Sequence, residues 1–164
     1  MLIENEKIPD ATVALVLNGD AKEASMQDIC QGKTVLLVGF PGVHTPICTL
    51  QHIPSLVKNL EAFKKRGVED VYCISDDNSW ALHEWSKNID GANALNFISD
   101  GNREFLLKSN LARGDKEVFL GGKYGRFYAF IRDGVVISFR AEETVFSTDL
   151  TNGFKIEDDI AKCV

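Results

Sequence analysis

The chain has 164 residues, 45% of them hydrophobic and 26% charged, and a formal net charge of -6. This length and composition predict one globular domain, residues 1–164, large enough to bury a hydrophobic core that needs no stabilising disulfide bonds. The acidic balance argues against a nucleic-acid partner, which selects a basic face, and against an anionic membrane surface.

The sequence carries the signals of neither a membrane span nor secretion. No apolar run approaches the roughly 20 residues needed to cross a bilayer, and the amino-terminal "MLIENEKIPD" lacks a signal's basic and apolar regions. We therefore expect an intracellular protein, cytoplasmic or, after removal of a transit peptide, inside an organelle. The four cysteines include no CxxC pair and no zinc-spaced Cys/His cluster, so we expect reduced thiols and no metal site.

The first quarter of the chain alternates strand and helix signals. Residues 11–17 (ATVALVL) predict a strand that ends at the turn "NGD", and Ser25 is placed to cap the short helix "SMQDIC". The continuous apolar run of residues 34–40 (TVLLVGF) is typical of a central strand covered on both faces.

A strand–helix–strand unit begins with that central strand. Apolar residues between Leu50 and Phe63 recur at spacings of three and four, which predicts an amphipathic helix that Pro54 should kink and Gly67 should end. Residues 68–75 (VEDVYCIS) predict the next strand. Two strands joined in this way pair in parallel through a right-handed crossover.

The second half of the chain adds further elements. Its patterns predict a helix after the capping residues 76–79, a strand over 94–100, a helix over 102–111, strands over 125–131 and 135–141, and a terminal helix from 155 onward. Asp133-Gly134 between the last two strands is a strong hairpin signal. The whole order predicts an α/β protein with a thioredoxin fold, in which a mixed central sheet has helices on both faces.

Cys48 follows the central strand, in the first turn of the predicted helix. Backbone N–H groups and the positive end of the helix dipole gather there, and both favour a thiolate over a thiol. The alternative is an inert cysteine buried beside a helix start, which is common. The neighbours argue against that alternative: Pro41 can wall off the sulfur without offering a donor, and the spacing from Thr45 brings its hydroxyl near the sulfur.

The segment "PGVHTPIC" resembles the peroxidatic signature of the peroxiredoxins. The longer "VGFPGVHTPICTLQHIP", followed by "VYCISDDNSWALHEW" and "RFYAFIRDGVV", is similar to the type II plant and mammalian type-five subgroup. The resemblance extends from about Ile8 to Arg140. It implies a thiol-dependent peroxidase that uses no metal, haem or flavin and reduces hydrogen peroxide and small organic hydroperoxides.

The resemblance also implies roles for four residues. Cys48 matches the peroxidatic cysteine, whose thiolate attacks the peroxide and becomes a sulfenic acid. Thr45 matches the threonine that orients thiolate and peroxide, and Pro41 matches the proline that shields the sulfur. Arg126 matches a strand arginine that stabilises the thiolate and the charge that develops as the O–O bond breaks. Without this match, Arg126 would be interpreted as a surface charge on an edge strand.

The other cysteines leave alternatives open. Cys73 lies where plant type II members carry a resolving cysteine, and it also fits a buried strand residue with no chemical role. Because a disulfide needs Cα atoms within about 7 Å, a resolving role would require local unwinding around Cys48. Cys30 is expected in the core and Cys163 at the surface or disordered. The region of the mammalian resolving cysteine, "AEETVFSTDLTNGF", contains none, which leaves Cys163 as a distant substitute.

The three histidines receive separate interpretations. His44 departs from the resemblance, since relatives usually carry phenylalanine there. It fits either an aromatic packing substitute or a titrating group near the site or a dimer contact. His52 matches a family position and is expected to be structural, and His83 is expected on a solvated helix face.

Two classes of function stay open at this point. The first is the peroxidase, regenerated by glutaredoxin, glutathione or thioredoxin, among which the sequence does not choose. A general thiol–disulfide oxidoreductase is disfavoured because CxxC is missing. The second class is a non-enzymatic redox sensor or partner-binding protein that uses the same reactive thiol. The resemblance also implies a homodimer formed through loops around the active site.

Overall fold

A seven-stranded mixed sheet organises the chain, which the computed structural model describes over residues 1–163. The strands are β1 (Thr12–Leu17), β2 (Asp20–Ser25), β3 (Thr34–Gly39), β4 (Asp70–Ser75), β5 (Asn96–Ser99), β6 (Phe127–Arg132) and β7 (Val135–Ala141). The α-helices are α1 (Met26–Cys30), α2 (Ile53–Lys58), α3 (Leu60–Lys65), α4 (Ser79–Ser86), α5 (Glu104–Ser109) and α6 (Gly153–Ala161). Within the described residues, none of the helices has both the length and the apolar character needed to cross a membrane.

The strand order in the sheet is β2-β1-β5-β4-β3-β6-β7. Strand β4 pairs in parallel with β3 and with β5, and every other pairing is antiparallel. The parallel β3–β4 pair and the β6–β7 hairpin agree with the sequence predictions. The central position of β3 explains its unbroken apolar run, because both of its faces are covered.

Two hydrophobic cores lie on opposite faces of the sheet. Along β3, Val35 and Leu37 belong to one core, whereas Leu36 and Val38 belong to the other, and all four side chains are buried. This alternation follows from the two-residue period of a strand. Helices therefore cover both faces, as the sequence predicted.

The β1–β2 hairpin was only half predicted. The turn Asn18-Gly19 has positive φ at both residues (52° and 87°), the geometry of a tight hairpin turn. The returning strand β2 was missed because "DAKEAS" is polar and mostly exposed, so it has no apolar alternation. Ser25 caps α1 as predicted, since its hydroxyl accepts the N–H of Asp28 at 3.3 Å.

The single helix predicted over residues 50–63 is divided into three pieces. A π-helical turn, Cys48–His52, comes first, and α2 and α3 follow with a break at Asn59. The N–H of Ile53 donates to the carbonyl of Cys48, a bond that spans five residues instead of four. Pro54 has no N–H to continue the four-residue pattern, so the predicted kink takes the form of this wider turn.

Candidate active site

The segment that carries Cys48 is anchored at the end of β3. The Phe40 ring is fully buried and stacks on Trp85, with the ring centroids 5.3 Å apart. A loop over residues 41–45 follows, and the N–H of Thr49 donates to the carbonyl of Thr45 at 3.0 Å. This first helical hydrogen bond places Cys48 in the first turn, as the sequence predicted.

Arg126 reaches the same point from the neighbouring strand. It immediately precedes β6, whose first residue, Phe127, pairs with Gly39 at the end of β3. The Arg126 side chain is buried, and its Nη1 donates to Cys48 Sγ over 2.9 Å. The antiparallel β3–β6 pair therefore brings together two residues that lie 78 positions apart in the chain.

The Arg126 guanidinium is fixed by two further acceptors. Its Nε donates to the carbonyl oxygen of Val145 at 3.1 Å, and Nη1 lies 3.2 Å from Nδ1 of His52. Among the ion pairs of residues 1–163, none involves Arg126. A buried cation without a carboxylate partner is costly unless another anion approaches. The sulfur of Cys48, which lies 2.9 Å from Nη1, is the group of the site placed to supply such a charge.

His52 has a definite protonation state in this arrangement. Its Nε2 is 3.0 Å from the carbonyl oxygen of Thr151, which can only accept, so Nε2 carries the proton and Nδ1 accepts from Arg126. Burial and the Arg126 charge lower the pKa of His52 to about 3, which keeps the ring neutral. The sequence placed His52 as structural; the structure also shows it holding the guanidinium beside Cys48.

Thr45 and Pro41 both lie at the site, but the Thr45 contact differs from the expectation. The Thr45 hydroxyl donates to the carbonyl of Gly42 at 2.8 Å, so its single hydrogen is not directed to the sulfur. Its oxygen keeps lone pairs that can accept a hydrogen bond from a ligand.

A cavity of about 350 Å³ opens next to these residues. Pro41, Thr45 and Arg126 line it together with His44. The remaining lining is apolar: Pro46, Ile47, Val118, Leu120, Val145 and Phe146. Cys48 itself has no exposed surface and lies behind Arg126, whose Nη1 contacts the sulfur.

A carboxylate that the sequence analysis did not single out holds the loop before Cys48. Asp77 Oδ2 accepts the backbone N–H of Val43 at 3.0 Å and the hydroxyl of Ser75 at 2.8 Å. Lys123 Nζ lies 3.1 Å from Asp76 Oδ1 and 3.9 Å from Asp77 Oδ1. These contacts connect the loop over residues 41–45 to the segment that supplies Val118 and Leu120. We refer to Asp76, Asp77 and Lys123 as the loop clamp.

The four cysteines are free thiols in different surroundings. Cys73 is buried in β4 and belongs to the same hydrophobic core as Cys48, and burial raises its pKa. Cys30 is buried in the opposite core, as expected. The expectation for Cys163 was wrong: it is half-buried, packs against the core that holds Cys48, and its thiol donates to the carbonyl of Asp159 at 3.6 Å.

Metal ligands are not grouped in this structure. Over residues 1–163, no set of three or more His, Cys, Asp or Glu side chains is placed to hold a metal ion.

Residues 3–150 match the family model described as Redoxin. The chain belongs to the Redoxin family. This redoxin is 30% identical over 118 residues to Peroxiredoxin-2F, mitochondrial, of Arabidopsis thaliana, a match that covers 72% of the chain and 59% of the relative. It is 31% identical over 142 residues to Peroxiredoxin-2E, chloroplastic, of the same plant, with 84% and 61% covered. The chain thus spans about three fifths of the length of these relatives.

Solved structures share the fold of this redoxin. Reduced Prx3 in complex with hydrogen peroxide, from Vibrio vulnificus, superposes with a TM-score of 0.88 at 22% identity, covering 98% of this chain and 99% of that one. The 1-Cys peroxiredoxin called Plasmodium falciparum antioxidant protein gives 0.89 at 24% identity, with the same coverage. These structures confirm the predicted thioredoxin fold, and the family model with the curated relatives confirms the resemblance to the peroxiredoxins.

Proposed function

We propose that this redoxin is a thiol peroxidase that reduces hydrogen peroxide and small organic hydroperoxides. The observation that carries the proposal is the buried Arg126 guanidinium, which lacks a carboxylate partner in the described chain and donates to Cys48 Sγ at 2.9 Å. Such a cation stabilises a thiolate and the negative charge that develops on a peroxide oxygen. The peroxiredoxin names of the curated relatives support the same activity.

The proposed reaction assigns a step to each site residue. The Cys48 thiolate attacks the distal oxygen of the hydroperoxide, which forms an S–O bond and breaks the O–O bond. The leaving alkoxide, or hydroxide when the substrate is hydrogen peroxide, takes a proton from solvent and departs as alcohol or water. Cys48 becomes a sulfenic acid. Thr45 accepts a hydrogen bond from the peroxide O–H, Arg126 stabilises the leaving oxygen, and Pro41 shields the sulfur from competing donors.

Regeneration of Cys48 needs an external thiol. A first thiol condenses with the sulfenic acid to a mixed disulfide and releases water, and a second thiol restores Cys48. Glutathione, glutaredoxin and thioredoxin are the candidate reductants. Cys73 as the resolving thiol is the alternative, and its burial in the core of Cys48 means that this route requires local opening.

The proposal extends to the assembly and location of the chain. Loops around the cavity expose Phe119 and Phe146, which supports a homodimer that uses this surface. The seven strands form one sheet, which supports a single domain. The mitochondrial and chloroplastic names of two relatives support an intracellular location, cytoplasmic or organellar.

Peroxide turnover by matched variants tests the function. Wild type, Cys48→Ser and Cys73→Ser are each supplied with hydrogen peroxide and with glutathione, glutaredoxin or thioredoxin, and peroxide consumption is followed. We expect repeated turnover by wild type and none by Cys48→Ser. Turnover by Cys73→Ser at the wild-type rate with every reductant would indicate a one-cysteine cycle. Activity that survives Cys48→Ser overturns the proposal, and a single stoichiometric oxidation of wild type would favour the redox sensor.

A further inference from the structure

The cavity beside Cys48 suits a substrate larger than hydrogen peroxide. Its volume is about 350 Å³, and seven of its ten lining residues are apolar. Apolar walls give hydrogen peroxide no partner, whereas they can bury the carbon chain or ring of an organic hydroperoxide. The polar lining residues are Thr45 and Arg126, already placed in the reaction, and His44.

His44 occupies an unusual position at the cavity. It lies in the turn that the Thr45 hydroxyl closes on Gly42, and its φ is +58°, in the left-handed region. The side chain is exposed. A non-glycine residue in this conformation costs roughly 1–2 kcal/mol, and histidine, like asparagine and aspartate, is among the residues that adopt it most often.

The charges around the cavity leave one group without a partner. Arg126 and His44 are its only ionisable lining residues, and no carboxylate lines it. The charge of Arg126 is matched by the Cys48 thiolate in the reactive enzyme. The imidazole of His44 offers an N–H donor at the cavity. No carboxylate of the lining competes for that donor.

The other charged residues near the cavity contact groups outside it or lie outside its lining. Asp77 receives the N–H of Val43, next to His44, and its second oxygen faces Lys123. Glu142, on the loop that supplies Val145 and Phe146, accepts the N–H and hydroxyl of Thr151 at 2.9 Å and 3.0 Å. The remaining charged residues of the cavity loops lie outside the lining; they are Arg113, Asp115, Lys116, Glu117, Glu143 and Asp149.

We propose that His44 makes this redoxin prefer organic hydroperoxides that carry a carboxylate. The apolar walls bury the carbon skeleton, the peroxide group reaches Thr45 and Arg126, and the carboxylate pairs with the His44 imidazole at the cavity. The proposal rests on the peroxidase function above and adds a substrate class to it. A fatty-acid hydroperoxide and a carboxylated aromatic hydroperoxide share this chemistry.

A matched pair of substrates isolates the charge. Cumene hydroperoxide and its para-carboxylate differ only in the carboxylate, which stays ionised between pH 6 and pH 8. Reduced protein is mixed with each substrate, Cys48 sulfenic acid is trapped with dimedone, and the rate constant is read by mass spectrometry. The ratio of the two rate constants cancels the ionisation of Cys48, because that ionisation is common to both substrates.

Two substitutions at His44 complete the design. His44→Phe keeps an aromatic ring without charge, and His44→Lys keeps a positive charge at pH 8. At pH 6 we expect the carboxylate-to-neutral ratio of wild type to exceed that of His44→Phe by about two- to fivefold, the size of a partly exposed ion pair. The ratio should be low and independent of pH in His44→Phe and high at both pH values in His44→Lys. Added sodium chloride should reduce it in wild type at pH 6.

The outcomes separate this inference from the function on which it rests. Equal ratios in wild type and His44→Phe at pH 6 overturn the role of His44. Failure of cumene hydroperoxide to oxidise Cys48 at all overturns the peroxidase function instead. A comparable ratio for a linoleic acid hydroperoxide against its methyl ester would extend the preference to lipid substrates, and an absent preference there would confine it to short skeletons.

Discussion

Cys30, Cys48 and Cys73 are all buried, but the groups around the three sulfurs differ. Cys30 and Cys73 are buried among apolar side chains, and desolvation raises the pKa of Cys30 to about 12 and raises that of Cys73 as well. Cys48 is equally buried, yet Arg126 Nη1 lies 2.9 Å from its sulfur. A guanidinium at this distance offsets the desolvation of a thiolate. One side chain therefore distinguishes Cys48 from the other buried thiols.

Replacing Arg126 should remove the difference between Cys48 and the other buried thiols. Arg126→Met is expected to slow alkylation of Cys48 by iodoacetamide at pH 7 by about tenfold or more, since each tenfold change corresponds to about 1.4 kcal/mol of lost thiolate stabilisation. Arg132→Met, at the exposed end of the same strand, is the control and should react like wild type. Equal alkylation rates in the two variants would contradict the role of Arg126.

His52 gives the molecule a defined response to acid. Its pKa is about 3 in the folded protein and about 6.5 when exposed, so between these values the unfolded chain binds a proton that the folded chain does not. The contribution of His52 to the free energy of unfolding is fully present above pH 6.5 and is lost as the pH falls toward 3. At pH 5 the loss amounts to about 2 kcal/mol from this group.

The matched substitution is His52→Gln, whose amide can donate to Thr151 and accept from Arg126 without titrating. Urea unfolding of both proteins at pH 7 and pH 5 gives the comparison. We expect the wild type to lose about 2 kcal/mol more than the variant over this interval. Parallel losses in the two proteins would show that His52 is not the titrating group.

The sequence pointed to the candidate site residues but not to the contacts that hold them in place. Cys48, Thr45, Pro41 and Arg126 are identified by a pattern that extends along most of the chain. The contact between His52 and Thr151 joins residues 99 positions apart, and no local pattern records it. The hydroxyl of Thr45 illustrates the same limit, because residue spacing places it near Cys48 but does not fix the acceptor of its hydrogen.

At the scale of elements, the loop clamp ties the loop before Cys48 to the opposite wall of the cavity. Asp77 accepts from Val43, and Lys123 bridges Asp76 and Asp77 from the segment that follows Leu120. The sequence predicts that residues 76–79 cap α4. The N-cap is Asn78, whose side chain accepts the N–H of Ala81 at 2.8 Å, whereas Asp77 binds the loop before Cys48. Loop position is therefore controlled by a carboxylate outside the motif.

Two substitutions of Asp77 separate hydrogen bonding from charge. Asp77→Ala leaves the Val43 N–H and the Ser75 hydroxyl without their acceptor, so we expect a loss of about 1–3 kcal/mol in the free energy of unfolding and slower oxidation of Cys48 by peroxide. Asp77→Asn keeps an acceptor and should retain most of the stability and most of the rate of Cys48 oxidation. Oxidation of Asp77→Ala at the wild-type rate would contradict the clamp.

Element boundaries were least predictable where one residue changes the hydrogen-bond pattern. Pro54 was correctly expected to disturb its helix, but only the structure reveals the π-helical turn over Cys48–His52. In the same way, the Asn18-Gly19 turn indicates a returning strand that the polar sequence of β2 hides. The pairing of β2 with β1 depends on backbone hydrogen bonds, which do not require apolar side chains.

At the scale of the whole molecule, the sheet separates two cores. Cys30 lies in one, and Cys73 lies in the other together with Cys48, while Cys163 packs against the latter. Cys30 and Cys73, which do not line the cavity next to Cys48, can each react with a reagent only when its own layer opens. Labelling of these cysteines therefore measures the opening of each layer.

Timed alkylation in dilute urea tests this separation. In Cys48→Ser protein, we expect Cys30 and Cys73 to label at different rates with different dependence on urea, as followed by peptide mass spectrometry. Labelling of both at one rate with one urea dependence would mean that the layers open only together, by global unfolding.

The position of Cys30 across the sheet has a consequence for damage by oxidants. If Cys48 is oxidised beyond the sulfenic acid and the hydrophobic core around it loosens, the thiols exposed first are the two others at that core, Cys73 and Cys163. Cys30 stays behind the seven strands as long as they remain paired. The oxidation state of Cys30 thus shows whether an oxidised molecule has been damaged only around Cys48 or has also lost the pairing of its strands.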